Sequence, residues 1–355
     1  MSTPPQTPQV VTRAAGRAQA GSAGLRSRLD AQQRRRRVLG VPIAIVYKFF
    51  DDQGGYLAAV VTHYAFVAIL PLLLIASSVL GFVLRGHPAL ESRILSSTLA
   101  QFPIVGDSLG QPGGIQGSGW GVVIGVVAST YGAVGLGQAA QNAISTVWAI
   151  PRNSRLNPVV SRFRSLLWLV LAGLALVLVA VLSSVSSHAE VFGQDVSLGV
   201  RLLVRAGTVL VDAGVLAMLM RLATPQRDRW RDVMPGAVLT AVLWFGLQMV
   251  GGVYVSHVIA HATQMNAIFA VVLGLVALLY VASVMAMLGL ETNVVLSKHL
   301  YPRALLTPFT DAVRLTDADR RVYRDYAKAQ RHKGFERIEV TFEDPPGSAD
   351  DHPTR

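Results

Sequence analysis

Long uncharged apolar runs alternate with short polar stretches along this chain. The clearest run is Tyr56–Leu84, YLAAVVTHYAFVAILPLLLIASSVLGFVL, which holds no Asp, Glu, Lys or Arg. A run of that length predicts a transmembrane helix rather than a soluble core element. At ~1.5 Å per residue it reaches ~43 Å against a hydrocarbon slab of roughly 30 Å, so it must tilt, kink or protrude. Pro71, near its middle, removes one backbone donor and marks the expected kink. The pattern recurs at about 117–150, 165–187, 196–220, 233–256 and 266–297. With the first run at about 56–84, this predicts an all-α membrane protein of six transmembrane helices.

The runs differ in their polar content. In the second, small residues recur every fourth position, at Gly117, Gly121, Gly125, Ser129, Ala133 and Gly137. One such row predicts close packing of another helix along that face. Gln138, Gln141 and Asn142 follow, then Trp148 as an interface anchor and Pro151 as the stop. The third span is almost wholly apolar and reads as lipid-facing. The fourth carries Asp212 near its centre, behind Arg201 and Arg205. The fifth has Pro235 near its start and Gln248 within it. The sixth closes on Glu291 and Asn293, just ahead of Lys298.

Two shorter stretches predict helices lying in the interface. Val41–Phe50 (VPIAIVYKFF) leads into the first span, and 85–116 carries a partial stripe between its prolines at Leu90, Ile94, Leu95, Leu99 and Phe102. The tail, 301–355, offers an N-cap at Thr316, from which a helix extends to about Gly334. Phe335–Phe342 alternates like a strand, and the last residues read as disordered.

Charge then orients the spans. Residues 1–39 carry eight Arg against one Asp and read as a disordered cytoplasmic arm. Arg34, Arg35, Arg36 and Arg37 at its end are candidates for contact with anionic lipid head groups. The loops 151–164 and 221–232 hold four Arg each, while 85–116, 188–199 and 257–265 hold only Arg85 and Arg93. Positive loops face inward, so both termini are expected in the cytoplasm of a multi-pass bacterial inner-membrane protein. Composition agrees: 52% hydrophobic and 15% charged residues, with a mean hydropathy of +0.44, where a soluble domain carries roughly a quarter charged residues. The net charge of +11 would suggest nucleic-acid binding if it formed a groove. It is instead spread over the arm, the tail and alternate loops, the distribution of topology.

The candidate chemistry is sparse. There is no Cys, which excludes disulfides, thiolate nucleophiles and Cys-ligated metals. No P-loop, GxSxG, HExxH or dinucleotide fingerprint is present, so neither an enzyme nor a cofactor is expected. His257 and His261 have metal-ligand spacing but lack a third ligand and an intervening Glu, so no metal is assigned. What stands out is depth. His63, Gln141, Asn142, Asp212 and Glu291 lie six to nine residues from the inner ends of their spans, roughly 9–14 Å at ~1.5 Å per residue. Lipid-facing charge at such depth costs about 2.5–3.5 kcal/mol, so these groups are expected to face one another or a wet cavity. His63 with Tyr64 reads as a packing pair or a proton site, and Gln138 with Asn142 as interhelical glue or cavity lining. Asp212 is the residue hardest to explain structurally.

Four segments in order resemble the YihY/virulence factor BrkB family of bacterial inner-membrane proteins, over about 41–300. They are Leu70-Pro71-Leu72, Gln138 through Asn142 to Val147-Trp148, Trp230-Arg-Asp-Val-Met-Pro235-Gly236-Ala237, and Leu288-Gly289-Leu290-Glu291-Thr292-Asn293. The last has Leu290 where the family carries Ala, and Asn266-Ala267-Ile268 stands where it carries Tyr-Gly. Relatives have carried the label ribonuclease BN, which this chain does not support, lacking the His-rich cluster of a metal nuclease. The resemblance implies a six-helix inner-membrane protein with suggested links to serum resistance and envelope lipid export. The expected function is transport or lipid/glycolipid translocation, with His63, Tyr64, Gln138, Asn142, Asp212 and Glu291 lining an inward-facing cavity. The alternative is a structural or scaffold protein of the envelope in which those groups only lock helices together. Membrane lipids are the expected partners, with no nucleic acid, and nothing in the sequence indicates an oligomeric state.

Overall fold

The computed structural model describes residues 36–83, 119–155, 157, 159–174, 198–223, 229–254, 264–305 and 314–343. Gly117, Arg34 and Arg35, the expected surface helix within 85–116, the later part of the third span, and His257 with His261 lie outside the described residues.

Every regular element among the described residues is helical. The lead-in helix α1 spans Arg37–Asp51. The first predicted span falls on α2, Gly54–Val83, continuous through Pro71. The second predicted span falls on α3, Gly119–Val147, which includes Gly121 and Gly125. Helix α4 is described over 159–174. Then come α5, Leu198–Ala223, α6, Trp230–Tyr254 with Pro235 in its second turn, and α7, Gln264–Ser297. The tail adds α8, Asp317–Ala329. On their described residues, three helices are long and apolar enough to cross a membrane, through Ala206–Ala223, Trp230–Val250 and Val272–Ser297.

Helix α7 is the centre of the bundle, packing on α1, α2, α3 and α6, while α2 pairs with α3 and α5 with α6. Its crossing with α6 is set by two glycines. A Cβ on Gly236 would run into the Gly289 carbonyl oxygen, and one on Gly289 into the Thr240 hydroxyl. Asn293 uses the closeness: its Oδ1 accepts from the Gly236 N–H at 2.7 Å.

The α2–α3 contact is also close, but the expected row of small residues is only part of it. Gly132 faces Val67 and Gly135 faces Tyr64, whereas Gly137, in the expected row, faces Ser165 of α4. Successive positions on a helix point about 100° apart, so three small residues serve two neighbours.

Helices α3 and α7 end in the same way. Ala149 and His299 take positive φ of 52° and 54°. The next N–H of each turns back five residues, from Ile150 to Ser145 and from Leu300 to Val295, both at 2.9 Å or less. These are Schellman closures without glycine, held by the burial of Ile150 and Leu300.

Two tail expectations need correction. Helix α8 stops at Ala329 rather than near Gly334. Phe335–Phe342 forms no strand, because a strand needs a partner edge and the described chain around it is helical.

Candidate functional site at the basic end of the bundle

The ends of α1, α3, α5 and α7, the starts of α2, α4 and α6, and the whole of α8 meet at one end of the bundle. It is the end at which the basic segments 152–164 and 229–231 lie. There the structure buries a cluster that the sequence only half reveals. Lys48 of α1 is 2% exposed, Asp52 5% and Glu291 0%. The Lys48 ammonium donates to Asp52 Oδ2 and to the Val147 carbonyl at 2.9 Å. It also lies 3.4 Å from Glu291 Oε2. Burial alone would pull the Lys48 pKa down, but Glu291 and Asp52 outweigh it and hold the group above its ordinary value. The cation therefore stays charged and joins three elements: its own helix, the C-terminus of α3 and the last turns of α7. A cation at a helix C-terminus also meets the negative end of that dipole.

The cluster carries two carboxylates for one ammonium. Asp52 Oδ1 and both Glu291 oxygens are buried without a hydrogen-bond donor among the described residues. Tyr326 of α8 lies over Lys48, with the ammonium 5.4 Å from its ring centroid. Burial, and then the facing Asp52 carboxylate, push the Tyr326 phenol well above its ordinary range, so it stays neutral.

Helix α8 is fixed over the cluster by a second buried network. Asp319 closes a capping box with Thr316 at the helix start. The same carboxylate takes Arg303 Nε and the Ala304 N–H at 3.0 Å. Arg303, itself 0% exposed, reaches Asp51 through Nη2 at 2.9 Å. Its pKa is raised: burial disfavours the charged form, but Asp319 and Asp51 more than compensate. Lys298 adds Asp325 at 3.0 Å and the Trp148 carbonyl at 2.9 Å. Replacing Arg303 by Met leaves Asp319 buried against no cation, at a cost of about 3–5 kcal/mol. The expected outcome is a chain whose bundle remains folded while α8 detaches. It is read as new protease cleavage and fast amide exchange within α8; protection equal to wild type would refute it.

A cleft of about 380 Å³ opens beside the cluster, its walls including Asp51, Asp52, Gln53, Asn142, Arg155 and Tyr326. Asp52 belongs to both, one face on the cleft and the other on Lys48. Asn142 is exposed on the cleft wall and accepts from Arg155 at 3.1 Å. Of the residues expected to share a cavity, Asn142 and Glu291 are therefore brought to one region, either side of Asp52.

The others are placed elsewhere. His63 is exposed and stacks edge-on with Tyr64 at 5.2 Å, which in turn meets Tyr131 at 6.0 Å on the α2–α3 surface. Its neighbour Thr62 turns inward, its hydroxyl 3.2 Å from that of Ser283 on α7. Gln138 is half-buried, while Gln141 is the buried amide, bonded to Ser161 and Ser165 of α4. Asp212 is half-buried on α5, its Oδ1 without a donor among the described residues and with no bond to Lys48 or Glu291. Among the described residues no group of His, Asp and Glu has the spacing of a metal site.

Lys48, Asp52 and Tyr326 were not singled out by the sequence. The available signal was the i,i+4 pair of Lys48 and Asp52 in an otherwise apolar, aromatic lead-in.

The family model described as Virulence factor BrkB matches residues 45–311. That interval runs from the middle of α1 past α7 and takes in Lys48, Asp52, Glu291 and Arg303. No curated protein and no solved structure matches the chain.

Proposed function

Because the chain belongs to the virulence factor BrkB family, we propose that it is a six-span bacterial inner-membrane protein that moves an amphiphile of the envelope, a lipid or glycolipid, with its inner end closed in this structure. The meeting of the Arg-rich loops at one end of the bundle supports both termini lying in the cytoplasm. The observation that carries the functional reading is the buried Lys48–Asp52–Glu291 cluster on the central helix. Burying an ion pair costs several kcal/mol per ion and rarely improves on apolar packing, so it is weak evidence of a stabilising role alone. An excess carboxylate at the floor of a polar cleft is suited to exchanging its cation or proton partner as the inner end opens. No enzymatic step is assigned to it.

The scaffold reading is favoured by two features: Tyr326 and α8 cover the cluster, and His63 and Asp212 do not line the cleft. Reconstitution separates the two. With the protein in vesicles carrying fluorescent phosphatidylglycerol or phosphatidylcholine, dithionite quenching reports movement between leaflets. The expected result is accelerated movement of at least one probe, lost in Glu291→Gln. If both probes stay in their leaflets with correctly folded wild-type protein, translocation is rejected and the scaffold reading stands.

A further inference from the structure

The segment that failed to form a strand has the exposure of one. From 337 to 343, Arg337, Glu339, Thr341 and Glu343 are exposed, while Ile338, Val340 and Phe342 are half-buried. Period-two exposure is the mark of an extended chain lying on a surface. Its start is anchored. The Asn153 N–H donates to the Arg331 carbonyl at 3.1 Å, and Glu336 accepts from the N–H groups of His332 and Lys333 at 2.7 and 3.2 Å. Ile338 lines a cleft of about 650 Å³ together with Pro151 and Lys328. Yet beyond Glu336 no backbone hydrogen bond of 337–343 is made among the described residues. An anchored, β-prone segment with open N–H and C=O rows is a pairing edge.

Its sequence says what fits. We propose that residues 337–343 pair with the same segment of a second copy of this chain, as an antiparallel ladder with Val340 opposite Val340. In that register Arg337 faces Glu343 at both ends, Ile338 faces Phe342, and Glu339 faces Thr341. Shifting by two in either direction puts Glu opposite Glu, at 339–339 or 339–343, which cross-strand repulsion disfavours. Shifting by one sets apolar against polar faces. Pro345 and Pro346 stop the ladder beyond the charged pair.

The symmetry suits a membrane. Opposed residues of an antiparallel pair point to the same side, so both copies turn Ile338, Val340 and Phe342 toward their own bundles. The two-fold axis then stands perpendicular to the ladder, and two chains in one bilayer with the same orientation satisfy it.

The test uses the full chain in nanodiscs. Since there is no Cys, single substitutions report pairing without background. Val340→Cys is expected to give a covalent dimer on mild oxidation. Thr341→Cys alone is not, whereas Thr341→Cys mixed with Glu339→Cys is. In parallel, Arg337→Glu is expected to raise the dimer Kd about tenfold, and Arg337→Glu with Glu343→Arg to restore it. A wild-type chain monomeric at every concentration, a dimer indifferent to Arg337→Glu and to Val340→Pro, or equal cross-linking at 340 and 341 each overturns the proposal. The segment lies outside the bundle, so these variants keep its fold.

Discussion

Lys48→Met collapses the basic end of the bundle. Met keeps an unbranched apolar stem and drops the terminal ammonium, so the change tests charge more than packing. It removes the only cation bonded to Asp52 or Glu291 among the described residues, and the only donor shown for the Val147 carbonyl. Two carboxylates would face each other behind Tyr326 with no cation between them. Removing one member of a buried pair costs about 3–5 kcal/mol, a large share of the 5–15 kcal/mol that holds a typical domain. The expected reading is a marked fall in the detergent unfolding midpoint and in the yield of folded protein. An unfolding midpoint equal to wild type would mean the cluster is hydrated or already neutral, contrary to the burial of all three side chains.

The companion variant is more informative. Lys48→Met with Asp52→Asn and Glu291→Met removes every formal charge from the cluster. Apolar replacement of buried ionic groups is often neutral or stabilising, so this triple variant is expected to recover most of the lost midpoint. The leaflet assay then assigns the role. A stable triple variant that no longer moves lipid places function in the charges. A stable and active one reduces the cluster to a lock between α1, α3 and α7, and leaves the scaffold reading in possession.

The sequence and the structure agree where hydrophobicity is the controlling term. Each predicted span with described residues overlaps a helix there, because an uncharged run of that length has no other stable form in lipid. Glu291 stood out for the same reason: a carboxylate inside such a run demands a partner. Its partner was hidden. Lys48 lies in a short amphipathic lead-in, where lysines are ordinarily read as interfacial, and only the fold of α1 back onto α7 buries it. His63 and Asp212 show a different limit. Counting residues from the end of a span gives height within the bundle but not direction around it. A turn of one position takes the inward place from His63 and gives it to Thr62. The helix ends at Ala149 and His299 carry no glycine, so their left-handed conformations were invisible before the buried Ile150 and Leu300 were seen to enforce them. The strand at 335–342 shows the limit of local pattern altogether: alternation specifies an extended chain but cannot supply the second edge.

Gly236→Ala separates α6 from α7. The added methyl would be 2.6 Å from Asn293 Oδ1 and closer still to the Gly289 carbonyl oxygen. A side chain can rotate away, but a backbone carbonyl held in a helix cannot, so the two axes must move apart. Two losses follow. Overpacking a tight core contact costs about 1–3 kcal/mol. The 2.7 Å bond from the Gly236 N–H to Asn293 stretches or breaks, leaving a fully buried amide oxygen short of its donor for about 1–3 kcal/mol more. A destabilisation of about 3 kcal/mol is expected, measured as a lowered unfolding midpoint. Gly246→Ala supplies the control on the same helix, since nothing lies within 4 Å of its added methyl. Relief of glycine's backbone freedom predicts no loss there and a gain of up to about 1 kcal/mol. If both substitutions behave alike, the crossing is looser than the glycine geometry requires. The effect also reaches the charged cluster. Glu291 sits two residues beyond Gly289, so a shift of α7 at the crossing withdraws its carboxylate from Lys48. Gly236→Ala should therefore weaken any activity carried by that pair by more than its loss of folded protein accounts for. An activity per folded molecule equal to wild type would show that the crossing and the cluster are mechanically independent.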